Sequence, residues 1–282
     1  MSRTTVRDIE ATYRSGKPIT MLTAYDAPIA RLVDRSGVDI ALVGDSAGHN
    51  HLGYGDTLRV TMEEALSNTA AVVRGTEEAM VLADMPFMSY GQSIETSVES
   101  AGRFLKEAGA DGVKLETAPD GGITVEIIER LTSLGIPVQG HLGLTPQRVK
   151  EMGGPVVQGR EGADSEFADQ VVETARDLEE AGIFSLVIEG TAEGLAKRLT
   201  GAVDVPTIGI GAGRYTDGQV LVTNDVIGLD SEGYRLSKGY ADVDSVIEEA
   251  VSEFVKEVRE GEFPTAEHAY DPVEEADESM ED

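Results

Sequence analysis

Acidic or imidazole side chains stand at the carboxyl ends of five short apolar runs that are typical of buried β-strands. They are Asp45, Asp84, Glu116, His141 and Glu189. Valine, isoleucine or leucine would be expected at such positions if they served only to fill a core. Carboxylates and imidazoles are instead the groups that hold metal ions and move protons. Their recurrence in successive runs predicts a shared polar site, although any one of them could simply cap the following helix.

Three of the carboxylates predict a metal site. Asp45, Asp84 and Glu116 end successive predicted strands, and neighbouring strands lie about 4.8 Å apart, so the carboxylates can converge on one point. Oxygen ligands favour a hard divalent cation, most often Mg²⁺, and disfavour zinc. One alternative stays open, because Asp45, with Ser46 beside it, could cap the next turn.

Lys114 and Glu116 are two residues apart in one predicted strand. Side chains alternate across a strand, so both point the same way, which is inward in a barrel. Val113 and Leu115 then face the surrounding helices, where apolar residues belong. The alternative is a buried Lys–Glu pair that neutralises itself, although such pairs stabilise proteins weakly.

Residues 208–213 form a glycine-rich segment that does not match a dinucleotide-binding fingerprint, because Arg214 stands where the last glycine is required. A phosphate cradle, a close approach to a bulky ligand and a plain turn remain as interpretations. His49, His51 and His268 have no metal-binding spacing, and we expect them at the surface.

The elements that position these side chains alternate between β-branched runs and amphipathic stretches. We predict strands at residues 19–24, 40–44, 80–84, 112–116, 137–141, 185–189, 207–209 and 219–223. We predict helices at residues 28–36, 62–74, 94–108, 123–134, 165–181, 192–202 and 243–260. This order predicts an α/β fold, a (β/α)8 TIM barrel that forms a single domain at residues 1–270, with its site at the carboxyl ends of the strands.

The charge is strongly negative, since 52 acidic residues oppose 23 basic ones for a net charge of −29. Residues 271–282 form an acidic tail, predicted to be disordered, but most of the excess lies elsewhere. Repulsion from phosphates argues against a nucleic-acid partner. At high salt concentration the Debye length is short, and repulsion between surface carboxylates is screened. We therefore interpret the charge as that of a halophilic protein, with an ordinary acidic protein as the alternative.

The compartment is predicted to be the cytoplasm. Cysteine is absent, which excludes disulfides and thiolate metal sites. The first 17 residues lack the apolar segment of a secretory signal. No apolar run approaches the roughly 18 residues of a membrane span, so no membrane association is expected.

Several segments, in this order along the chain, resemble the ketopantoate hydroxymethyltransferase family. They are TAYD at 23–26, LVGDS at 42–46, LADMPFM at 82–88, VKLE at 113–116, GHLGLTPQ at 140–147, IGIGAG at 208–213 and TDGQ at 216–219. The resemblance covers residues 4–268. Residues 234–240 depart from the family's pattern, which affects the expected contacts to the folate.

The resemblance implies a TIM barrel of the phosphoenolpyruvate/pyruvate-superfamily type. It also implies transfer of a hydroxymethyl group from 5,10-methylenetetrahydrofolate, or a related pterin, to 2-oxo-3-methylbutanoate. The product would be 2-dehydropantoate, on the route to pantothenate and coenzyme A. Members of the family assemble as homo-oligomers, commonly decamers.

The resemblance also implies roles for individual residues. Asp45, Asp84 and Glu116 match the Mg²⁺-site carboxylates, some of them possible ligands through water. The residues that match the substrate side of the site are Asp45, Ser46, Lys114 and His141. Glu189 takes the place of the catalytic base.

The residues and the resemblance lead to the same expected mechanism. Mg²⁺ chelated by the substrate would stabilise the enolate that forms when Glu189 removes the C3 proton. Burial at the end of an apolar strand would raise the pKa of Glu189 towards the range that this task needs. The alternative enzyme is a Mg²⁺-dependent carbon–carbon lyase or aldolase acting on a 2-oxo acid. A catalytically silent, metal-binding barrel is a third interpretation, against which Lys114, Glu116 and Glu189 argue.

Overall fold

Eight short apolar runs form the strands of a closed parallel barrel in the computed structural model, which describes residues 3–229 and 236–270. The strands are β1 Ile19–Thr23, β2 Ile40–Val43, β3 Met80–Asp84, β4 Gly112–Glu116, β5 Val138–Gly143, β6 Ser185–Glu189, β7 Thr207–Ile210 and β8 Gly218–Leu221. Each strand pairs with its neighbours in chain order, and β1 pairs with β8 to close the barrel. The predicted α/β class and (β/α)8 architecture are confirmed.

Helices surround the barrel and follow most of its strands. They are α1 Val6–Arg14, α2 Ala27–Arg35, α3 Ala47–Asn50, α4 Met62–Gly75, α5 Ile94–Arg103, α6 Gly122–Ser133, α7 Val149–Met152, α8 Glu166–Glu180, α9 Glu193–Thr200, α10 Thr223–Ile227 and α11 Val243–Glu260. Short 3₁₀ turns lie at Thr57–Arg59, Pro146–Arg148 and Ala266–His268. None of the helices in the described ranges is long and apolar enough to cross a membrane.

Alternate strand residues fill the interior of the barrel. Its apolar part is a buried cluster made of Ile19, Met21, Ile40, Leu42, Met80, Leu82, Val187, Ile208 and Val220. Ile9 of α1 belongs to the same cluster, so α1 closes the amino-terminal end of the barrel. The polar site is therefore restricted to the opposite, carboxyl end.

The outward-facing strand residues pack against the helices. Val113 and Leu115 of β4 lie in a large buried cluster with Ile127 and Leu131 of α6. The prediction that these two β4 residues face the helices, while Lys114 and Glu116 face inward, is confirmed.

Most predicted boundaries lie within two residues of the observed ones, and the clearest differences are in β8, in the helix after β3 and in helix α1. The strand predicted at 219–223 ends at Leu221, because Thr223 begins α10 and its hydroxyl donates to the Thr23 carbonyl. The helix predicted at 94–108 becomes a π-helical turn from Phe104 onwards. Helix α1 was not predicted at all. Residues 271–282, predicted as a disordered tail, lie outside the described residues.

Candidate active site

The carboxyl ends of the strands surround one cavity of about 100 Å³. All of the residues predicted to form the site line this cavity: Asp45, Ser46, Asp84, Lys114, Glu116, His141 and Glu189. The long connections after β2 and β5 reach it as well, through Thr57 and Pro146. The structure therefore brings together every residue that the sequence analysis selected, while their chemical roles stay predictions.

Lys114 is paired with the neighbouring strand rather than with its own. Its Nζ lies 2.9 Å from Asp84 Oδ1, and both side chains are buried. The interpretation of Lys114 and Glu116 as a self-neutralising pair is therefore wrong. Burial opposes the charge of Lys114, but the carboxylates of Asp84, Glu116 and Asp45 outweigh it and raise the pKa of the ammonium. Lys114 is a permanent buried cation.

Asp45 lies against Asp84 just beyond the end of β2. Its backbone N–H donates to Asp84 Oδ2 over 3.0 Å. Its own Oδ2 accepts from Gln147 Nε2. The N-cap of α3 is Ser46, so the interpretation of Asp45 as a cap is wrong.

Two of the carboxyl groups at the predicted metal site hold protons unusually well. Burial, together with repulsion from Asp84, raises the pKa of Asp45 to about 7. Burial and the charge of Asp45 raise the pKa of Glu116 well above its ordinary value. An added cation would favour the charged form of both groups.

His141 connects Lys114 to Glu189. Its Nδ1 lies 3.3 Å from Lys114 Nζ, and its Nε2 lies 3.3 Å from Glu189 Oε2. Burial and the charge of Lys114 hold the pKa of His141 well below its usual value, so the imidazole is neutral at pH 7. Because an ammonium can only donate, Nδ1 is the acceptor and Nε2 carries the proton.

His141 Nε2 makes no hydrogen bond within the described residues, although it lies 3.3 Å from Glu189 Oε2. A buried donor left in this state costs free energy. The N–H is therefore free to donate to an acceptor in the cavity.

Glu189 ends β6 with its side chain 22% exposed towards the cavity. Burial raises its pKa to about 7, against the opposing effect of Lys114. The Glu189 carbonyl accepts from the Leu144 N–H over 2.8 Å, which ties the ends of β5 and β6 together. Gly143 makes this approach possible, because a Cβ there would lie 2.2 Å from that carbonyl oxygen.

Gln147 and Tyr25 contact the predicted site but were not predicted. Gln147 is buried and bonds to Asp45 and Glu116. The Tyr25 hydroxyl lies 2.9 Å from Ser46 Oγ. Gln147 lies in the segment GHLGLTPQ and Tyr25 in the segment TAYD, which both carry the family resemblance. Their place in these segments is the sequence feature that could have identified them.

The glycine-rich segment after β7 forms a turn. Gly211 and Gly213 have φ values of 60° and 80°, which residues with a Cβ rarely adopt. A Cβ on Gly213 would also lie 2.6 Å from Glu193 Cγ. The interpretation as a plain turn therefore explains these glycines. His49, His51 and His268 are exposed, as predicted.

A ready-made metal cluster is not present in the described ranges, since no three His, Asp or Glu side chains there are arranged to hold an ion. The carboxylates nevertheless have the chemistry of a Mg²⁺ site. Mg²⁺ in proteins usually binds through one or two carboxylates, with water and substrate oxygens in the remaining positions.

A buried cation, carboxyl groups of raised pKa and a neutral imidazole lie around one cavity at the carboxyl end of a parallel barrel. These features define a (β/α)8-barrel enzyme. The family model "Ketopantoate hydroxymethyltransferase" matches residues 3–266. The chain belongs to this family, which places it in the pantothenate pathway.

Curated relatives agree over nearly the whole chain, and those cited here are each named 3-methyl-2-oxobutanoate hydroxymethyltransferase. The chain is 52% identical to the protein from Halobacterium salinarum, with 90% of each chain covered. It is 50% identical to the protein from Thermotoga sp., with 89% of this chain and 91% of the other covered. It is 48% identical to the Clostridium botulinum protein, with 95% and 96% covered.

Solved structures with much lower identity share the fold. A phosphonopyruvate hydrolase is 13% identical with a TM-score of 0.61, covering 97% of this chain and 92% of its own. A 2,3-dimethylmalate lyase of the PEP mutase/isocitrate lyase superfamily is 13% identical with a TM-score of 0.56, covering 93% and 89%. These similarities show the fold alone, and they agree with the predicted (β/α)8 barrel.

Proposed function

We propose that this enzyme transfers a hydroxymethyl group from 5,10-methylenetetrahydrofolate, or a related pterin, to 3-methyl-2-oxobutanoate, forming 2-dehydropantoate. The names of the relatives and the matched family support this substrate. The observation that carries the chemistry is Glu189, a carboxyl group with a pKa of about 7 that faces a small cavity beside a buried cation.

The cavity supplies groups that suit a short 2-oxo acid. Lys114 Nζ offers a positive charge to the substrate's carboxylate, and Ser46 Oγ offers a hydrogen bond. His141, neutral with its Nε2 proton free, can donate to a substrate oxygen without competing for the proton that the base must take. These contacts would bind and orient the acid with C3 towards Glu189.

Glu189 is the group proposed to take the C3 proton. The C3–H bond breaks, its electron pair enters a C2–C3 double bond, and negative charge moves onto the oxo oxygen. C3 then attacks the methylene carbon of the carrier in its iminium form, and the C=N electron pair moves onto that nitrogen. Water afterwards replaces this nitrogen on the methylene carbon: the C–N bond breaks, its electron pair stays with the carrier nitrogen, which takes a proton, and the water oxygen becomes the new hydroxyl group. A base with a pKa near the working pH is ionised often enough to act, yet basic enough to accept a proton.

We propose Mg²⁺ as the cofactor, held by carboxylates from the set Asp45, Asp84 and Glu116. The raised pKa values of Asp45 and Glu116 support this, because repulsion between carboxylates contributes to both of them. When bound, Mg²⁺ supplies a Lewis acid that stabilises negative charge on the substrate. Asp84→Asn should weaken Mg²⁺ binding in calorimetry and remove most activity in a protein that still folds, although with lower stability because Lys114 loses its ionic partner. Unchanged affinity and turnover would remove Asp84 from the site.

The activity can be tested directly. Purified protein is incubated with 3-methyl-2-oxobutanoate, Mg²⁺ and methylenetetrahydrofolate, and dehydropantoate is sought by mass spectrometry. We expect a product that depends on the carrier. Cleavage of the oxo acid without a carrier would instead indicate a lyase or aldolase, and the absence of both reactions would contradict the proposal.

We also propose that the chain works in the cytoplasm as a homo-oligomer. Helix α11 supports assembly, because none of its residues is buried. Its apolar residues are instead exposed, with Val246 63%, Val251 55% and Phe254 54% accessible. Light scattering coupled to size-exclusion chromatography should give a mass well above 30.0 kDa, with the decamer as the family-based expectation. A monomer would contradict this.

A further inference from the structure

Gln147 lies between two carboxylates of the cavity. Its Nε2 donates to Asp45 Oδ2 over 2.9 Å, and its backbone N–H donates to Glu116 Oε2 over 3.0 Å. Nε2 also donates to the Met85 carbonyl over 3.0 Å. One residue therefore bonds to carboxylates that come from two different parts of the barrel, after β2 and at the end of β4.

Tyr90 determines which way the Gln147 amide points. The Tyr90 hydroxyl donates to Gln147 Oε1 over 2.8 Å and accepts from the Glu116 backbone N–H over 3.2 Å. With Oε1 bound to a donor, the NH₂ end of the amide must face Asp45. A flipped amide would place two acceptors, Oε1 and Asp45 Oδ2, against each other.

A neutral amide is suited to hold two carboxylates that repel each other. The side-chain amide of Gln147 satisfies one oxygen of Asp45 and the backbone N–H of Gln147 satisfies one oxygen of Glu116, and neither adds a positive charge that would compete with a metal ion. The bonds of Gln147 go to Asp45 Oδ2 and Glu116 Oε2, and they do not engage Oδ1 or Oε1. Hydrogen bonds behind metal-binding carboxylates orient them, and their loss typically lowers metal affinity about 10–100-fold.

We propose that Gln147, oriented by Tyr90, is a positioning residue that holds the Asp45 and Glu116 carboxylates in place for a divalent cation. The inference rests on the metal-dependent function proposed above. Its new content is that two residues that do not touch the metal ion, Gln147 and Tyr90, determine part of the protein's affinity for that ion.

The test measures binding of Mn²⁺, as the probe ion, to the full-length protein by calorimetry. Gln147→Leu keeps most of the side-chain volume and removes the amide, while Tyr90→Phe removes only the hydroxyl. Thr174→Val is the matched control, because Thr174 is buried on α8 and its Oγ1 donates to the Pro119 carbonyl over 2.7 Å, away from the cavity. Thermal melts of all variants without metal measure any general loss of stability.

We expect Gln147→Leu to raise the Mn²⁺ dissociation constant about 10–100-fold, and Tyr90→Phe to raise it less. The double variant should resemble Gln147→Leu alone, because Tyr90 acts through Gln147. Thr174→Val should bind Mn²⁺ with wild-type affinity, even if its melting temperature falls.

Gln147→Leu keeps the backbone N–H that binds Glu116, so wild-type Mn²⁺ affinity in this variant would overturn the role of the Gln147 amide in positioning Asp45. Full addition of the two effects in the double variant would overturn the role of Tyr90. A wild-type protein that binds neither Mn²⁺ nor Mg²⁺ would instead overturn the metal-dependent function itself, and this result would appear before any variant is compared.

Discussion

Lys114 Nζ and Asp84 Oδ1 form a buried ion pair across two neighbouring strands, 2.9 Å apart, with each side chain 6% exposed. The two residues are register partners of β4 and β3, so the backbone pairing itself brings them together. The pair compensates one of the three carboxylates of the predicted metal site. Asp45 and Glu116 keep raised pKa values, because their negative charges are buried and repel neighbouring carboxylates. A bound cation would reduce this repulsion.

Removing Lys114 should destabilise the protein strongly. Lys114→Met keeps the length of the side chain but leaves Asp84 as an uncompensated buried charge, so the free energy of unfolding should fall by about 3–5 kcal/mol. The double variant with Asp84→Asn should recover part of this loss, because both charges are then gone. Urea denaturation measures both values. Wild-type stability in Lys114→Met would show that the pair contributes nothing to the fold.

Stability without metal should depend on pH through Glu189. Its pKa rises from 4.5 to about 7 on folding, so the folded protein holds a proton that the unfolded chain releases between these values. The resulting stabilisation is complete below pH 4.5 and is lost as pH rises through about 7. The free energy of unfolding should fall by about 3 kcal/mol over this range.

Glu189→Gln isolates this contribution, because glutamine mimics the protonated side chain at every pH. The variant should equal the wild type in stability near pH 4.5 and exceed it at pH 8, in denaturation measured at constant salt. A difference between the two proteins that does not change with pH would mean that Glu189 has an ordinary pKa.

Gly143 should be essential for placing Glu189. Its φ is 101°, and a Cβ would lie 2.2 Å from the Glu189 carbonyl oxygen, so Gly143→Ala must displace the end of β6. Gly135→Ala is the matched control, since its φ is 85° and nothing lies within 4 Å of a Cβ there.

Both substitutions introduce backbone strain, which should lower the free energy of unfolding by about 1 kcal/mol in Gly135→Ala. Only Gly143→Ala should also lose turnover, and it should lose more stability. Steady-state kinetics together with denaturation compare them. Full activity in Gly143→Ala would show that the close approach of β5 and β6 does not position the carboxylate.

The net charge of −29 should make stability depend on salt. Raising KCl from 0.1 M to 1 M shortens the Debye length from about 10 Å to about 3 Å and screens repulsion between surface carboxylates. The melting temperature should rise, most steeply at the lower concentrations, where the Debye length changes most. A flat or falling melting temperature would contradict the halophilic interpretation.

The alternation of strand-like and helical segments was sufficient to predict the barrel, and the polar residues at strand ends were sufficient to predict the cavity lining. The partner of Lys114 was harder to predict. Glu116 is closer in sequence, but two residues in a strand span about 6.6 Å, whereas a neighbouring strand lies about 4.8 Å away. The pairing of Lys114 with Asp84 therefore follows from strand register, which the sequence does not state.

Gln147 and α1 were missed for different reasons. Gln147 meets Asp45 across 102 residues of sequence, through a 3₁₀ turn whose position depends on the folded loop. Helix α1 carried a local signal that was not used, because Val6, Ile9 and Tyr13 lie at helical spacing and pack on the barrel cluster, and Thr5 and Asp8 form a capping box. Tertiary contacts therefore determine the position of Gln147, whereas α1 could have been predicted from its sequence.

Exchange of the C3 proton of 3-methyl-2-oxobutanoate with deuterated solvent tests the proposed role of Glu189 most directly. The reaction is followed by NMR with Mg²⁺ present and no carrier, so that proton removal is observed without transfer. Wild-type protein should exchange the proton, faster as pH rises through about 7. Glu189→Gln should still bind the oxo acid in calorimetry but exchange about 10²–10⁴-fold more slowly. Exchange at the wild-type rate in Glu189→Gln would show that Glu189 is not the base.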